Sequence, residues 1–397
     1  MAKLINLKIF TRFFKSSSAG GILLLICVAL SLVIANSAAA DEFAGLLNVP
    51  LGFESGSVQL RYPVLLWIND GLMAIFFLLV GLEIKREIVE GELSSLRQAS
   101  LPVLAAIGGV VVPALIYSFF NAGTVTSNGW GIPMATDIAF ALGILSLLGD
   151  KVPTGLKIFL AALAIVDDLI AILVIAIFYS TELHLVYLGY AAGLFALQIV
   201  FNRLGFKNLF FYIIPGIVMW YFIHHSGIHA TVAGVLTALT LPTNETDEDS
   251  PLEKLEHMLA QPVNFIIMPI FAIANTNITF ESGMVEGLTG NLGLGIMLGL
   301  FLGKPVGIFA MSWLSVKLNI SQLPENTRWP HVLGLGLLGG IGFTMSIFIA
   351  LLSFSDPAYQ TEAKFAILVA SVLAGITGFM LLNFYNKKKA GVHQSEL

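Results

Sequence analysis

Long runs of apolar residues recur along this chain and constrain its fold more than any other feature of the sequence. Of the 397 residues, 57% are hydrophobic and only 11% are charged, whereas a soluble domain carries about 25% charged residues. A soluble domain could not bury this much apolar surface, so the solvent of these runs must be lipid. Apolar runs of about 20 residues are typical of transmembrane helices. We therefore predict an all-α polytopic membrane protein with one transmembrane transporter domain over residues 1–397.

Twelve apolar runs can be identified, and the distribution of basic residues supports this count. With the N-terminus placed inside, every Lys and Arg except Arg61, Lys364 and Lys304 falls in an inside segment. Cytoplasmic loops are enriched in Lys and Arg. A wrong count of spans would place many of these basic residues in outside segments. We therefore predict twelve transmembrane helices with both termini in the cytoplasm. The predicted spans are residues 18–36, 64–86, 100–120, 126–148, 155–179, 184–202, 208–223, 227–241, 257–276, 292–315, 331–354 and 363–385.

Several stretches need a separate interpretation. The first run resembles a cleavable signal peptide because it follows basic residues and ends at three alanines, but its length and its long basic arm favour an uncleaved first helix. The runs at 208–223 and 227–241 are short and could form one re-entrant unit. Residues 45–62 carry Pro and Gly between short apolar runs and predict an external β-hairpin. Residues 242–256 are acidic and predict a cytoplasmic loop.

Two glycine-rich stretches match nucleotide-binding motifs in their letters only. Residues 334–339 read Gly-x-Gly-x-x-Gly, but they lie inside an apolar span without the strand that this motif requires. Residues 299–304 resemble a phosphate loop, yet Pro305 stands where Ser or Thr must bind magnesium. The single cysteine, Cys27, and the lack of a metal-binding Cys or His pattern predict no bound cofactor. The net charge of −5 argues against nucleic acid as a partner.

Charged side chains within the predicted spans are few, and each is a candidate functional residue because a charge at mid-bilayer costs ~2.5–3.5 kcal/mol. Those in the middle of spans are Asp137, Asp167, Asp168 and Lys304. The second span carries Asp70 near its outer end and Glu83 and Glu87 near its inner end. Ion pairing alone cannot explain the mid-span group, since three carboxylates face one ammonium. An unpaired carboxylate in a low dielectric takes a proton or binds a cation.

The adjacent pair Asp167 and Asp168 cannot easily share one partner, because neighbouring residues on a helix point about 100° apart. One carboxylate can face a cation pocket while the other pairs with a helix neighbour such as Lys304. Oxygen ligands of this kind suit a hard cation. The pair therefore predicts a site where cation binding and proton binding exclude each other.

Two spans carry helix-breaking residues. The fourth has Pro133 and Thr136 just before Asp137, and the eleventh has a series of glycines before Thr344. Interrupted spans at corresponding places in two halves indicate an inverted-repeat transporter with its site at mid-membrane, and the halves would be spans three to five and ten to twelve. Broken helices expose partial charges at their inner ends. Asp137 could offset the positive ends and Lys304 the negative ends.

At these residues the sequence resembles the NhaA family of bacterial sodium/proton antiporters. The matching stretches are 65–87, 135–143, 157–168, 227–234, 303–307 and 339–349. They are spread over nearly the whole chain, and the paired Asp with its flanking residues is the most specific of them. The resemblance implies an inverted-repeat fold whose fourth and eleventh spans are discontinuous and cross.

The resemblance also implies roles for particular residues. Asp168 looks like the main cation-binding and proton-exchanging carboxylate, and Asp167 looks like its partner, able to pair with Lys304. Thr136 and Asp137 look like the residues at the crossing of the broken helices. The ligands of Na⁺ or Li⁺ would then be Asp167 and Asp168.

A second group resembles the pH-response region of the family at the cytoplasmic funnel. Its members are Glu83, Glu87, Glu256 and His257. His229 falls in a motif linked to pH response, although a lone histidine more often only packs. Asp70 has no implied role and stays an open candidate. The hairpin at 45–62 resembles the dimer contact of the family, which implies a homodimer.

The implied function is transport, and the implied location is the bacterial inner membrane. Na⁺ or Li⁺ would leave the cell in exchange for H⁺ under alternating access, with no enzymatic reaction. If more than one proton moves per cation, the exchange is electrogenic. Such a transporter would serve pH and sodium homeostasis.

Two other functions compete with this interpretation. A sodium-coupled symporter for an organic solute uses similar broken helices, but it would need a cluster of Arg, Asn or Gln in the spans, which the sequence lacks. An intramembrane aspartyl protease would need two carboxylates that share one proton. Asp167 and Asp168 diverge on one helix, and Lys304 has no role in that chemistry.

Overall fold

The computed structural model is mostly helical over the residues that it describes. These are residues 7–56, 58–149, 152–180, 182–243, 250–281 and 283–394. The α-helices are α1 (Leu7–Ala35), α2 (Ala40–Leu47), α3 (Val64–Leu66), α4 (Met73–Val89), α5 (Leu96–Asn121), α6 (Ile138–Leu147), α7 (Thr154–Phe178), α8 (Leu185–Arg203), α9 (Phe210–His224), α10 (Val232–Thr240), α11 (Pro251–Pro262), α12 (Met268–Asn275), α13 (Met284–Gly287), α14 (Asn291–Leu298), α15 (Lys304–Lys317), α16 (Trp329–Gly339), α17 (Phe343–Ser353) and α18 (Pro357–Gln394).

Other helical turns extend several of these helices. A 3₁₀ helix, Ser127–Met134, precedes α6. π-helical segments join α3 to α4 (Trp67–Leu72), α11 to α12 (Val263–Ile267) and α14 to α15 (Gly299–Gly303). π-helical turns inside α-helices are often found at functional sites, and the third one lies directly before Lys304.

The chain divides into two compact units. The first unit comprises Met1–Leu25, Ser95–Asp168 and Glu281–Leu397, and the second comprises Ile26–Ser94 and Leu169–Phe280. The first unit therefore combines predicted spans three, four and half of five with predicted spans ten to twelve.

Glycines set the close helix packing within each unit. In the first unit α5 meets α15 at Gly108 and Gly307, where a Cβ atom on either residue would collide with the carbonyl of the other. In the second unit a Cβ atom at Gly234 of α10 would collide with the Ala74 carbonyl of α4. Small residues of this kind let membrane helices approach closely. The first contact lies one turn after Lys304 and so fixes the start of α15.

The described helices establish a polytopic membrane protein, while the count of twelve spans stays a prediction. Eight of them are long and apolar enough to cross a membrane, or up to ten if each of two bent pairs counts as one span. The bent pairs are α1 with α2, at 113°, and α16 with α17, at 46°. A count of twelve also needs α9 and α10. At 1.5 Å per residue these reach only roughly 22 Å and 14 Å, short of the ~30 Å hydrocarbon core.

The stretch predicted as a hairpin contains two nested pairs of antiparallel strands. β1 (Pro50–Leu51) pairs with β4 (Tyr62–Pro63), and β2 (Glu54–Ser55) pairs with β3 (Val58–Gln59). The preceding residues up to Leu47 belong to α2, so the strands begin later than the predicted boundary at 45. Of the predicted loop at 242–256, residues 244–249 lie outside the described residues, and its last part begins α11 at Pro251.

Candidate functional site

Two interrupted helices of the first unit meet at their interruptions. The 3₁₀ helix Ser127–Met134 is followed by non-helical residues before α6, and α16 is separated from α17 by three residues. The Asp137 N–H donates to the Ile341 carbonyl at 2.6 Å. Thr136 Oγ1 lies 2.9 Å from the Gly339 carbonyl oxygen, to which it can donate. Hydrogen bonds therefore join the two interruptions directly.

Asp137 caps two helices with one buried carboxylate. Its Oδ1 accepts from the Phe140 N–H of α6 at 3.0 Å. Its Oδ2 accepts from the Thr344 N–H of α17 at 3.0 Å and also from the Thr344 hydroxyl. The N-terminal ends of helices carry partial positive charge and unpaired N–H groups. The Asp137 side chain is thus engaged at both oxygens and offsets the positive ends of α6 and α17.

Lys304 is fully buried and pairs with Asp167. Lys304 Nζ lies 2.5 Å from Asp167 Oδ2 and also donates to the Met134 carbonyl at the end of the 3₁₀ helix. The Thr136 hydroxyl lies 2.6 Å from the same Asp167 oxygen. That hydroxyl has one proton for two acceptors, Asp167 Oδ2 and the Gly339 carbonyl, so it can donate to only one of them at a time. Lys304 and Thr136 therefore link Asp167 to both interruptions.

The second oxygen of Asp167 is available to a ligand. Within the described residues, Asp167 Oδ1 is buried and accepts no hydrogen bond. Buried polar atoms are nearly always satisfied in native proteins, and an exception needs an explanation such as a water or an ion. A proton or a metal cation would satisfy this oxygen.

Asp168 adds a third buried carboxylate to the cluster. Its exposed fraction is 2%, and Lys304 interacts electrostatically with both members of the Asp pair. Lys304 therefore faces the two carboxylates of the Asp pair, while Asp137 is held by the ends of α6 and α17. Burying uncompensated charge is costly, so a buried cluster with more carboxylates than ammonium groups is suited to binding protons or cations.

The acidic residues predicted to respond to pH form a second cluster, which lies in the second unit. Arg86 joins two of them, with Nη2 at 3.1 Å from Glu87 Oε1 and Nη1 at 2.8 Å from Glu256 Oε1. Glu83 interacts electrostatically with all three of these residues. His257 is exposed and interacts with Glu256. The structure therefore brings Glu83, Glu87, Glu256 and His257 together around Arg86.

The turn after α4 closes over this acidic cluster. The Glu92 N–H donates to Glu87 Oε2 at 3.0 Å, and the Leu93 N–H donates to the Glu87 carbonyl. Burial raises the pKa of the Glu92 carboxyl, and the negative charge of Glu87 raises it further. Glu92 is therefore a titratable neighbour of the cluster.

Asp70 and His229 lie together, apart from the acidic cluster. Asp70 Oδ2 is 3.2 Å from His224 Nδ1, and Asp70 Oδ1 is 3.8 Å from His229 Nε2. The Trp220 indole stacks on His224 and donates to the Asp70 carbonyl. Asp70 and Glu83 lie about 20 Å apart along their helical segment, at 1.5 Å per residue. The structure thus does not place His229 with the other predicted pH-response residues.

Sequence reasoning missed several partners of these residues. The distribution of basic residues predicts only a cytoplasmic position for Arg86, although its place three residues after Glu83 and one before Glu87 is a signal that identifies it as a partner. His224 gives no such signal, because its partner Asp70 is distant in the sequence. The Met134 carbonyl is a backbone group and cannot be identified from residue types.

Comparisons with known proteins give one consistent result. The family model described as Na⁺/H⁺ antiporter 1 matches residues 11–382. The Na(+)/H(+) antiporter NhaA 2 of Flavobacterium johnsoniae is 77% identical over 390 residues, which cover 98% of this chain and 96% of the relative. The Na(+)/H(+) antiporter NhaA of Flavobacterium psychrophilum is 50% identical over 379 residues, covering 96% and 97%. The Na(+)/H(+) antiporter NhaA of Escherichia coli O1:K1 is 48% identical over 375 residues, covering 94% and 97%.

Proposed function

Since this chain belongs to the Na⁺/H⁺ antiporter 1 family, we propose that it exports Na⁺ or Li⁺ from a bacterial cell in exchange for H⁺, at the buried cluster of the first unit. The observation that carries the proposal is the composition of that cluster. Asp137, Asp167 and Asp168 are almost fully buried, and among the described residues Lys304 pairs with Asp167 and interacts electrostatically with Asp168. A fixed structural ion pair would need balanced charge, whereas an exchange site needs an excess of carboxylate.

The proposed mechanism is competition for two carboxylates. With the site open to the cytoplasm, Na⁺ binds Asp168 and the free oxygen of Asp167, and the protons held by the cluster leave. After the site opens to the other side, Na⁺ dissociates and protons replace it. Lys304 holds Asp167 whenever no sodium ion does, through the contact of 2.5 Å. Because one site serves both ions, neither can cross without the other.

The interruptions supply the polar environment that makes such a site possible in lipid. Irregular backbone at membrane depth is tolerated where it is buried in protein or lines a cavity. We propose that the 3₁₀ helix with α6, and α16 with α17, are the two discontinuous helices of an inverted repeat that cross at the site. The hydrogen bonds from Asp137 to Ile341 and from Thr344 to Asp137 support this assignment.

The regulation and topology of the transporter form part of the same proposal. The cluster of Glu83, Glu87, Glu256 and His257 would adjust transport to cytoplasmic pH, through charges gathered around Arg86. Both termini would lie in the cytoplasm, with twelve spans in the inner membrane. The four strands between residues 50 and 63 would form the contact of a homodimer, and more than one proton per cation would make transport electrogenic.

Reconstitution of the purified protein tests the proposed function. Sodium added outside proteoliposomes that carry a pH-sensitive dye inside should alkalinise the lumen, because protons leave as sodium enters. Lithium should act in the same way, and potassium serves as the control cation. A lumen whose pH does not respond to sodium at any external pH would overturn the proposal.

A further inference from the structure

The two interrupted helices of the first unit exchange hydroxyl contacts in a reciprocal way. Thr136, within the first interruption, reaches the carbonyl of Gly339, the last residue of α16, at 2.9 Å. Ser346, in the first turn of α17, donates to the carbonyl of Ile132 at 2.7 Å. Ile132 lies in the last turn of the 3₁₀ helix. Carbonyls in the last turn of a helix lack intrahelical partners, so each hydroxyl serves the end of the opposite helix.

The last turn of the 3₁₀ helix also carries the backbone contact of Lys304. The Ile132 carbonyl accepts from Ser346, and two residues later the Met134 carbonyl accepts from Lys304. Pro133 stands between them and restricts the backbone at that point. Ile132 and Ser346 are both fully buried, so the contact between them is closed to bulk water.

We propose that Ser346 is a positioning residue for ion exchange, whose hydroxyl holds the last turn of the 3₁₀ helix and thereby the Met134 carbonyl that Lys304 contacts. The inference rests on the proposed function, since it takes the Lys304–Asp167 pair as part of the exchange site. Ser346 itself does not touch Lys304 or Asp167 through any hydrogen bond of the described residues; it acts through the backbone between Ile132 and Met134.

The physical consequence concerns the competition for Asp167. Lys304 divides its N–H donors between Asp167 Oδ2 and the Met134 carbonyl. When the last turn of the 3₁₀ helix is no longer held, the Met134 carbonyl can move away from Lys304. The ammonium then depends on Asp167 alone and competes more strongly with sodium for that carboxylate. Loss of the Ser346 hydroxyl should therefore weaken sodium binding while leaving later steps of the cycle in place.

The positioning role of Ser346 can be tested by sodium-dependent proton movement in proteoliposomes. The measured quantities are the apparent KM for sodium and the maximal rate. Ser346→Ala should raise the KM by roughly tenfold, the effect of about one buried hydrogen bond, with the maximal rate within about twofold of wild type. Ser346→Cys keeps the size of the side chain but donates weakly, so its KM should lie between those of wild type and Ser346→Ala. Ser353→Ala is the matched control, because Ser353 lies on the same helix and, among the described residues, its hydroxyl bonds only to the Ile349 carbonyl of that helix.

The outcomes separate this inference from the proposed function. A wild-type protein that moves no protons when sodium is added would overturn the proposed function and the inference with it. A wild-type protein that exchanges sodium, with an unchanged KM in folded Ser346→Ala, would overturn the inference alone. So would a lower maximal rate at constant KM, or an equal rise of KM in Ser353→Ala. If Ser346→Ala does not fold, the rise of KM in Ser346→Cys decides the question.

Discussion

Lys304 shares its ammonium between the Asp167 carboxylate and the Met134 carbonyl, and it has no exposure to solvent. A lysine in such a place is stable only with compensating partners, since an isolated buried charge is very costly. The pair is equally necessary for Asp167, whose burial would otherwise leave a second uncompensated charge. At the residue scale, the proposed exchange site would therefore balance one cation of the protein against the transported cation.

This balance predicts that Lys304→Ala destabilises the protein more than Lys304→Arg or Lys304→His. Removing one partner of a buried ion pair typically costs ~3–5 kcal/mol, because the other charge stays buried. Arg keeps a positive charge and His can acquire one. Thermal unfolding of the purified variants in detergent measures the difference. Equal melting temperatures for Lys304→Ala and wild type would contradict the pairing.

At the scale of single elements, the ends of helices explain where the polar groups lie. Asp137 serves the N-terminal ends of α6 and α17, and Lys304 serves the C-terminal end of the 3₁₀ helix. The end of α4 differs, because there the Glu92 N–H of the following turn donates to the Glu87 carboxylate.

The turn after α4 predicts a pH-dependent effect of Glu92→Gln on stability. The raised pKa of Glu92 means that the folded protein prefers the protonated carboxyl. Below the ordinary carboxyl pKa, Glu92 is neutral and does not lower the free energy of unfolding. As pH rises through the raised pKa, Glu92 ionises in the folded protein and the free energy of unfolding falls. Glu92→Gln should therefore melt like wild type near about pH 4 and at a higher temperature than wild type near neutral pH. A variant that melts lower than wild type at neutral pH would contradict this.

The sequence predicts some of these elements well and others poorly, for physical reasons. Pro133 and the glycines before Thr344 mark both interruptions, because such residues weaken helices wherever they occur. The contacts between the interruptions could not be predicted, since Asp137 and Thr344 are far apart in the chain and meet only through folding. Helix α9 has nearly the length of its apolar run, whereas α10 begins at Val232, five residues after the predicted start at 227.

At the scale of the whole molecule, the candidate site and the strands belong to different units. Residues 136, 137, 167, 168 and 304 lie in the first unit, and the strands β1–β4 lie in the second. The family assignment, predicted from the matching stretches, is confirmed by the match over residues 11–382. Predictions of transmembrane helices succeed because apolar length is a local property. The predicted count of twelve spans, by contrast, includes α9 and α10, whose lengths alone do not indicate that they cross a membrane.

The strands lie in a different unit from the candidate site and are the proposed dimer contact. We therefore predict that they support a homodimer but not transport itself. Replacing residues 52–61 with a short Gly-Ser linker removes β2 and β3 but keeps Tyr62, which packs against His224. The variant should be monomeric by light scattering in detergent and should still exchange sodium for protons in proteoliposomes. Dimers that persist would contradict the assignment of the contact. Loss of exchange in folded monomers would show that the strands serve transport.

The most direct measurement of the central claim is proton movement in everted membrane vesicles that carry Asp168→Asn. Asn keeps the shape of the side chain but can neither exchange a proton nor offer a full negative charge to sodium, and its neutral group costs less to bury. The variant should fold and reach the membrane, yet sodium or lithium should cause no proton movement at any pH tested. Asp167→Asn should differ by keeping some exchange through Asp168. Exchange at wild-type rates in Asp168→Asn vesicles would contradict the account, because the transported ions would then bind elsewhere.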